Sequence, residues 1–146
     1  MIVRSLQATD RAAWQTLWRA YQDFYHADPH AETMELTWRR FHDPQQPIYA
    51  LGAHIEGRLV GIVHYLFHLS TWTPGPYCYL QDLYTAEDAR NRGVGRALIE
   101  AVYDAANQAG ASRVYWLTRE TNSVAMALYD KMADRPGFVQ YRKLLV

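Results

Sequence analysis

Between Arg90 and Arg96 the sequence reads Arg-Asn-Arg-Gly-Val-Gly-Arg. Arg90, Arg92 and Arg96 bring positive charge, and Gly93 and Gly95 bring backbone freedom, just ahead of an apolar pattern with helical spacing. The first turn of a helix carries N–H groups without intrahelical partners and the positive end of the helix dipole. Glycine lets the backbone approach a ligand closely and take torsions that other residues avoid. Together these features make a cradle for a pyrophosphate. The Gly-Lys-Ser/Thr of a P-loop is missing. The G-x-G-x-x-G fingerprint is not met either, and the preceding strand is the fourth in order rather than the first of a βαβ unit. On these residues alone, an anion cradle and a plain glycine loop entering a helix both stay open.

Other reactive side chains are weaker signals. His64 and His68 have a spacing that would face one metal ion from a helix. Their segment reads as a strand, where four residues span about 13 Å at ~3.3 Å each, too far to share an ion. They are expected as core or surface histidines, and no metal is expected. Cys78 sits among aromatics in a strand and should pack as a small hydrophobe. An acyl-cysteine route needs a base partner that the sequence does not offer. Gln81 and Asp82 are strand neighbours, and Glu120 follows a later strand.

The elements that must hold these residues follow from periodicity. Ile2 to Leu6 reads as a strand, and Thr9 or Asp10 caps a helix. In it Trp14, Leu17, Trp18, Tyr21, Phe24 and Tyr25 form an aromatic face at steps of three and four. Pro29 is expected to end it. A second helix is expected from about Ala31 to Phe41, with Met34, Leu36 and Trp38. Ile48 to Ile55 and Leu59 to Leu69 are strand-like, joined by a Glu56-Gly57 hairpin turn. A Pro-Gly-Pro turn leads to a strand over Tyr77 to Thr85. A helix from Val94 to Ala109 stops at Gly110. A strand over Val114 to Thr118, a helix over Asn122 to Met132 and a last strand over Phe138 to Val146 complete the chain. The order β-α-α-β-β-β-α-β-α-β describes an α/β (α+β) class protein with a mixed sheet and helices on both faces.

The 146 residues suit one domain over 1–146. Lys plus Arg and Asp plus Glu are 15 each, with zero formal net charge. That argues against a dedicated nucleic-acid binder, which needs a basic excess. Hydrophobic residues are 49% and aromatics 14%, enough for a filled core. The single cysteine permits no internal disulfide and no Cys-based zinc cage. The opening MIVRSLQATD has no apolar leader core, and no run nears ~18 apolar residues. A cytoplasmic protein that does not engage a membrane is expected.

R-x-x-G-x-G after a strand, then helix, strand and the block Asn122-Ser123-Val124-Ala125-Met126-Ala127-Leu128-Tyr129 resembles the GCN5-related N-acetyltransferase (GNAT) superfamily. Tyr79-Leu80-Gln81-Asp82-Leu83-Tyr84-Thr85 is similar to its central splayed strand, and Gly137-Phe138 to the Gly-Phe that opens its last strand. The likeness runs over the whole chain, with the sharp motifs between residues 79 and 138. Val114-Tyr115-Trp116-Leu117-Thr118 with Glu120-Thr121-Asn122 resembles the fungal histone, polyamine and D-amino-acid acetyltransferases. The Leu-x-Asp-Leu-Tyr block resembles the diamine acetyltransferases.

The resemblance implies a mixed sheet of about six to seven strands with a splayed pair. It implies acetyl-CoA as cosubstrate, no metal, and direct attack on the thioester by the amine of a small molecule, or by a lysine or N-terminal amine. It also implies a homodimer. The backbone of Asn91, Arg92, Gly93, Val94, Gly95 and Arg96, with Arg90, would hold the pyrophosphate. Leu83, Tyr84 and Thr85 would pair with the pantetheine arm, helped by a bulge that splays the strand. Asn122 and Ala125 would hold that arm from the other side. Tyr129 occupies the position of the acid that protonates the leaving thiolate. Tyrosine has a pKa of about 10 and a thiol about 8.5, so the transfer is feasible. The attacking amine must lose a proton, and here the chain departs from the diamine enzymes, with Gln81 where they carry Glu. A neutral amide takes no proton, though it can orient the amine or a water. Asp82, Glu120 and a water or backbone relay stay open as the base. Alternation puts Asp82 on the face opposite Gln81 unless a bulge intervenes. Tyr21, Asp23 and Tyr25, with Gln81, are expected at the substrate mouth, where aromatic rings beside acids suit an organic cation. The competing readings are a CoA-binding sensor that has lost transfer and a ligand-free scaffold.

Overall fold

The computed structural model describes residues 1–28 and 30–145. Pro29, the expected end of the first helix, and Val146, the expected end of the last strand, lie outside the described residues. The chain divides into two compact units, Met1–Trp116 and Leu117–Val146.

The first unit is built on one sheet. Its strands are β1 (Ile2–Ser5), β2 (Ile48–Ile55), β3 (Arg58–His68), β4 (Tyr77–Thr85) and β5 (Arg113–Tyr115), adjacent in that order. The first three pairings are antiparallel, and β4 pairs parallel with β5. The β2–β3 turn forms where expected, with Glu56 at φ 51° and Gly57 at φ 79°. Two residues with positive φ give the type of turn whose twist matches a hairpin.

Helices α1 (Arg11–Phe24) and α2 (Ala31–Phe41) cover one face, and α3 (Val94–Gln108) covers the other. The α1 face is aromatic because Trp14, Leu17, Trp18 and Tyr21 recur at helical spacing. Trp14 is fully buried against Trp18, Trp38 and Phe41. The α1 helix stops at Phe24, and His26 then takes φ 55°. On the other face Val94, Leu98, Ile99 and Val102 of α3 are buried. Gly61 of β3 is what lets α3 come so close. A Cβ there would lie 2.6 Å from the Val94 side chain and 3.1 Å from that of Leu98.

The second unit holds α4 (Ser123–Met132). Among the described residues the sheet has five strands rather than six to seven. The expected strand over Phe138 to Val146 does not form among the described residues, and that over Val114 to Thr118 is confined to Arg113–Tyr115. β-propensity is a preference for a pleated, packed surface, and a strand exists only where a partner completes its ladder. Phe138, Val139, Tyr141, Leu144 and Leu145 have the composition of a strand, but their side chains are exposed.

Candidate active site

The site begins with one extra residue in β4. His64 of β3 pairs with Asp82, and the next residue, Tyr65, pairs with Leu80. Gln81 is therefore a β-bulge. Regular alternation would put Asp82 with Leu80 on the α3 face. The bulge resets the phase, so Asp82 and Tyr84 both join His64 on the α1 face. Gln81 itself is exposed. Next to the bulge, the ladder between β4 and β5 stops at Tyr79 opposite Tyr115. Leu83, Tyr84 and Thr85 continue pairing with β3 through Val63, Ile62 and Gly61. Their other edge belongs to the stretch that β5 does not pair.

A hydrogen-bonded chain runs through the face created by the bulge. The Trp14 indole N–H donates to His64 Nε2 at 3.0 Å, and His64 Nδ1 lies 3.0 Å from Asp82 Oδ2. His64 is 2% exposed and is boxed by the rings of Trp18 and Phe41. The Tyr21 hydroxyl is hydrogen-bonded to Asp82 and to Tyr25. Burial, and then the Asp82 charge, push Tyr21 well above the ordinary tyrosine range. Tyr21 is thus a fixed O–H donor to the carboxylate. Tyr21 stacks on Trp18 and meets Tyr84 edge-on. Asp82, Tyr21 and Tyr25 are thus brought together. Asp23 is not among them. It lies two residues, about 200°, around the helix from Tyr21, in an exposed depression with Gln15, Thr16 and Arg19. His64, which the sequence places in the core or on the surface, is a member of the site. Its pairing with Asp82 depends on the position of the bulge, which no residue type marks.

Downstream of β4 the glycine loop takes the shape an anion needs. Asn91 has φ 64° and Gly93 φ 79°, and Gly93 caps α3. A Cβ at Gly93 would meet nothing within 4 Å, so the space above the loop is open. The Ala97 N–H bonds Gly93 O. The N–H groups of Val94, Gly95 and Arg96 belong to the first turn, which has no intrahelical acceptors. Arg90 is committed locally. Its Nε donates to Thr85 O at 3.2 Å, and its guanidinium lies 5.6 Å from the Tyr84 ring centre. Arg92 is exposed, and Arg96 pairs loosely with Glu100 at 3.7 Å. The open space above Gly93 and the first-turn donors fit a pyrophosphate.

In the second unit Asn122 caps α4, and its Nδ2 donates to Thr118 Oγ1 at 3.3 Å. Asn122, Ala125 and Tyr129 fall at helical spacing and are each partly buried, whereas Glu120 is exposed. The remaining reactive groups are occupied elsewhere. His68 Nε2 lies 2.8 Å from the Tyr115 hydroxyl, and burial pushes the Cys78 thiol up to about 11.

The model of the acetyltransferase (GNAT) family matches residues 12–133, from the aromatic helix through the bulged strand and glycine loop to α4. The chain belongs to this family. It is an acetyltransferase. Over 145 residues it is 39% identical to the D-amino-acid N-acetyltransferase HPA3 of Saccharomyces cerevisiae, covering 98% of this chain and 90% of that protein. It is 34% identical over 77 residues to the thialysine N-epsilon-acetyltransferase of Sus scrofa, covering 53% of this chain and 45% of that one. The crystal structure of a ribosomal-protein-alanine N-acetyltransferase from Brucella melitensis biovar Abortus 2308 shares the fold. Its TM-score is 0.82 at 21% identity, over 99% of this chain and all of that one (100%).

Proposed function

We propose that residues 1–146 act as one acetyl-CoA-dependent N-acetyltransferase domain whose acceptor is the primary amine of a small molecule of amino-acid or polyamine type. The observation that carries this reading is the bulge at Gln81, which turns Asp82 toward the aromatic face of α1. A carboxylate beside Tyr21, Tyr25 and Trp18 suits an organic ammonium group. Kinship with a protein named for acetylating D-amino acids supports an amino-acid acceptor.

Acetyl-CoA enters as a substrate carrying its acetyl group in a thioester. Its pyrophosphate is held by the first-turn N–H groups of Val94, Gly95 and Arg96, with Asn91, Arg92 and Gly93 shaping the loop and Arg90 bracing it. The backbone of Leu83, Tyr84 and Thr85 takes the pantetheine arm as an added strand, and Asn122 and Ala125 contact that arm. The amine nitrogen attacks the carbonyl carbon. A C–N bond forms and the C–S bond breaks. Asp82 takes the proton that the amine gives up, directly or through a water. Tyr129 gives a proton to the leaving sulfur. Asp82 is preferred over Glu120 as the base because it is part-buried and held by two donors, whereas Glu120 is exposed. Gln81, exposed at the bulge, orients the acceptor.

Thiol release from acetyl-CoA across D- and L-amino acids, polyamines and basic peptides tests the proposal. Release that depends on an amino acid or a polyamine is expected. Binding of acetyl-CoA with no acceptor-dependent release would favour a CoA sensor.

A further inference from the structure

The neutral partners behind Asp82 have a consequence for how that carboxylate is held. An indole N–H is only ever a donor. Trp14 points it at His64 Nε2, so that nitrogen must be the acceptor and the ring proton must sit on Nδ1. That proton then faces Asp82 Oδ2. His64 has both nitrogens engaged, and Trp14 is fully buried, so neither ring has room to turn. A part-buried carboxylate without donors is costly, and here one donor comes from a ring whose tautomer is set by the next residue inward.

We propose that Trp14 and His64 are positioning residues, a buried two-residue brace that aims the Asp82 carboxylate at the acceptor amine. The brace passes no proton onward, because His64 Nε2 is blocked by the indole. A proton arriving at Asp82 therefore leaves by the open side of the carboxylate, which is part-exposed, and not through His64. The role given to Asp82 rests on the proposed transfer to an amine; the hydrogen-bond chain does not.

The test has two arms, both on the full chain. Long-range 1H–15N NMR is expected to show His64 protonated on Nδ1, with Nε2 as bare acceptor. The Nε2–H form overturns the proposal. The second arm is kinetic and uses two isosteres. In H64N the amide N–H lies near the place of Nδ1, and in H64Q near that of Nε2. H64Q is expected to lose about tenfold to a hundredfold in kcat/KM for the amine, the size of one hydrogen bond to a charge. H64N should stay within a few-fold of wild type, and KM for acetyl-CoA should stay unchanged in both. Equal losses in the two variants overturn the proposal, because the ring would then only fill space. If the wild-type chain releases no thiol with any acceptor, the proposed function fails. The aim at an amine then falls with it, and the NMR arm decides the Trp14–His64–Asp82 chain by itself.

Discussion

Gly61→Ala is the substitution that best probes how β3 seats the anion loop. The new Cβ would lie 2.6 Å from Val94 Cγ1, 3.1 Å from Leu98 Cδ1 and 3.4 Å from the Tyr84 carbonyl oxygen. Ordinary carbon contacts are about 3.5–4.0 Å, so Val94 must retreat by about 1 Å. It has little room, since Val94 is 2% exposed and Leu98 is wholly buried. Overpacking of this kind costs about 1–3 kcal/mol, and each kcal/mol lowers Tm by about 2–4 °C at this chain length. Val94 is also the first residue of α3, so its retreat drags the first-turn N–H groups away from the proposed phosphate position. Acetyl-CoA affinity should fall about tenfold, the loss of roughly one charged hydrogen bond. Val94→Ala removes the clashing methyl, so the double variant should recover affinity and show a coupling above about 0.5 kcal/mol. Calorimetric Kd and thermal melting measure both effects. An unchanged Tm and Kd in Gly61→Ala would refute the seating argument. A lost affinity that Val94→Ala does not restore would show that the helix is not the route.

Tyr129→Phe should lower kcat by about 10²–10⁴, the usual worth of a general acid, while calorimetric binding of acetyl-CoA persists. The Asp10 carboxyl is held well below the usual range by the Arg4 guanidinium, against the cost of burial, with help from the Gln7 N–H and His54. Such a group binds fewer protons when folded, so its stabilisation is full above about pH 4 and is lost on further acidification. Asp10→Asn should cost about 1–2 kcal/mol near neutrality, since Arg4 stays partly hydrated, and should flatten the acid limb of the stability curve, read from melting against pH. Cys78, buried and with its thiol pushed up to about 11, should resist disulfide reagents at pH 8 in the native state and react on unfolding.

Much of this was legible in the sequence where the signal is local. The aromatic face of α1, the Glu56-Gly57 turn, α3 and its Gly110 stop all come from spacing and turn chemistry between near neighbours. The Trp14–His64–Asp82 chain was hidden, although each residue was in view. Its members are far apart in sequence, and Asp82 joins His64 only because one bulged residue shifts the β3–β4 register, which is a property of two strands rather than one. Asp23 lies apart from Tyr21 and Tyr25 because helical phase, not nearness in sequence to an aromatic run, sets which side of α1 an acid takes. The strand expected over Phe138 to Val146 is absent among the described residues for the opposite reason. Its composition favours β structure, but composition does not supply a partner.

The proposed reaction is direct transfer of the acetyl group from acetyl-CoA to an amine. Mass spectrometry of one reaction mixture, following both the acceptor and the intact protein, tests it most directly. N-acetylated amine is expected in equal amount to free CoA thiol, with no acetylated form of the protein at any time. An acetylated protein that forms before the amine is added and hands its acetyl group on would contradict it, as would CoA thiol released without an acetylated acceptor.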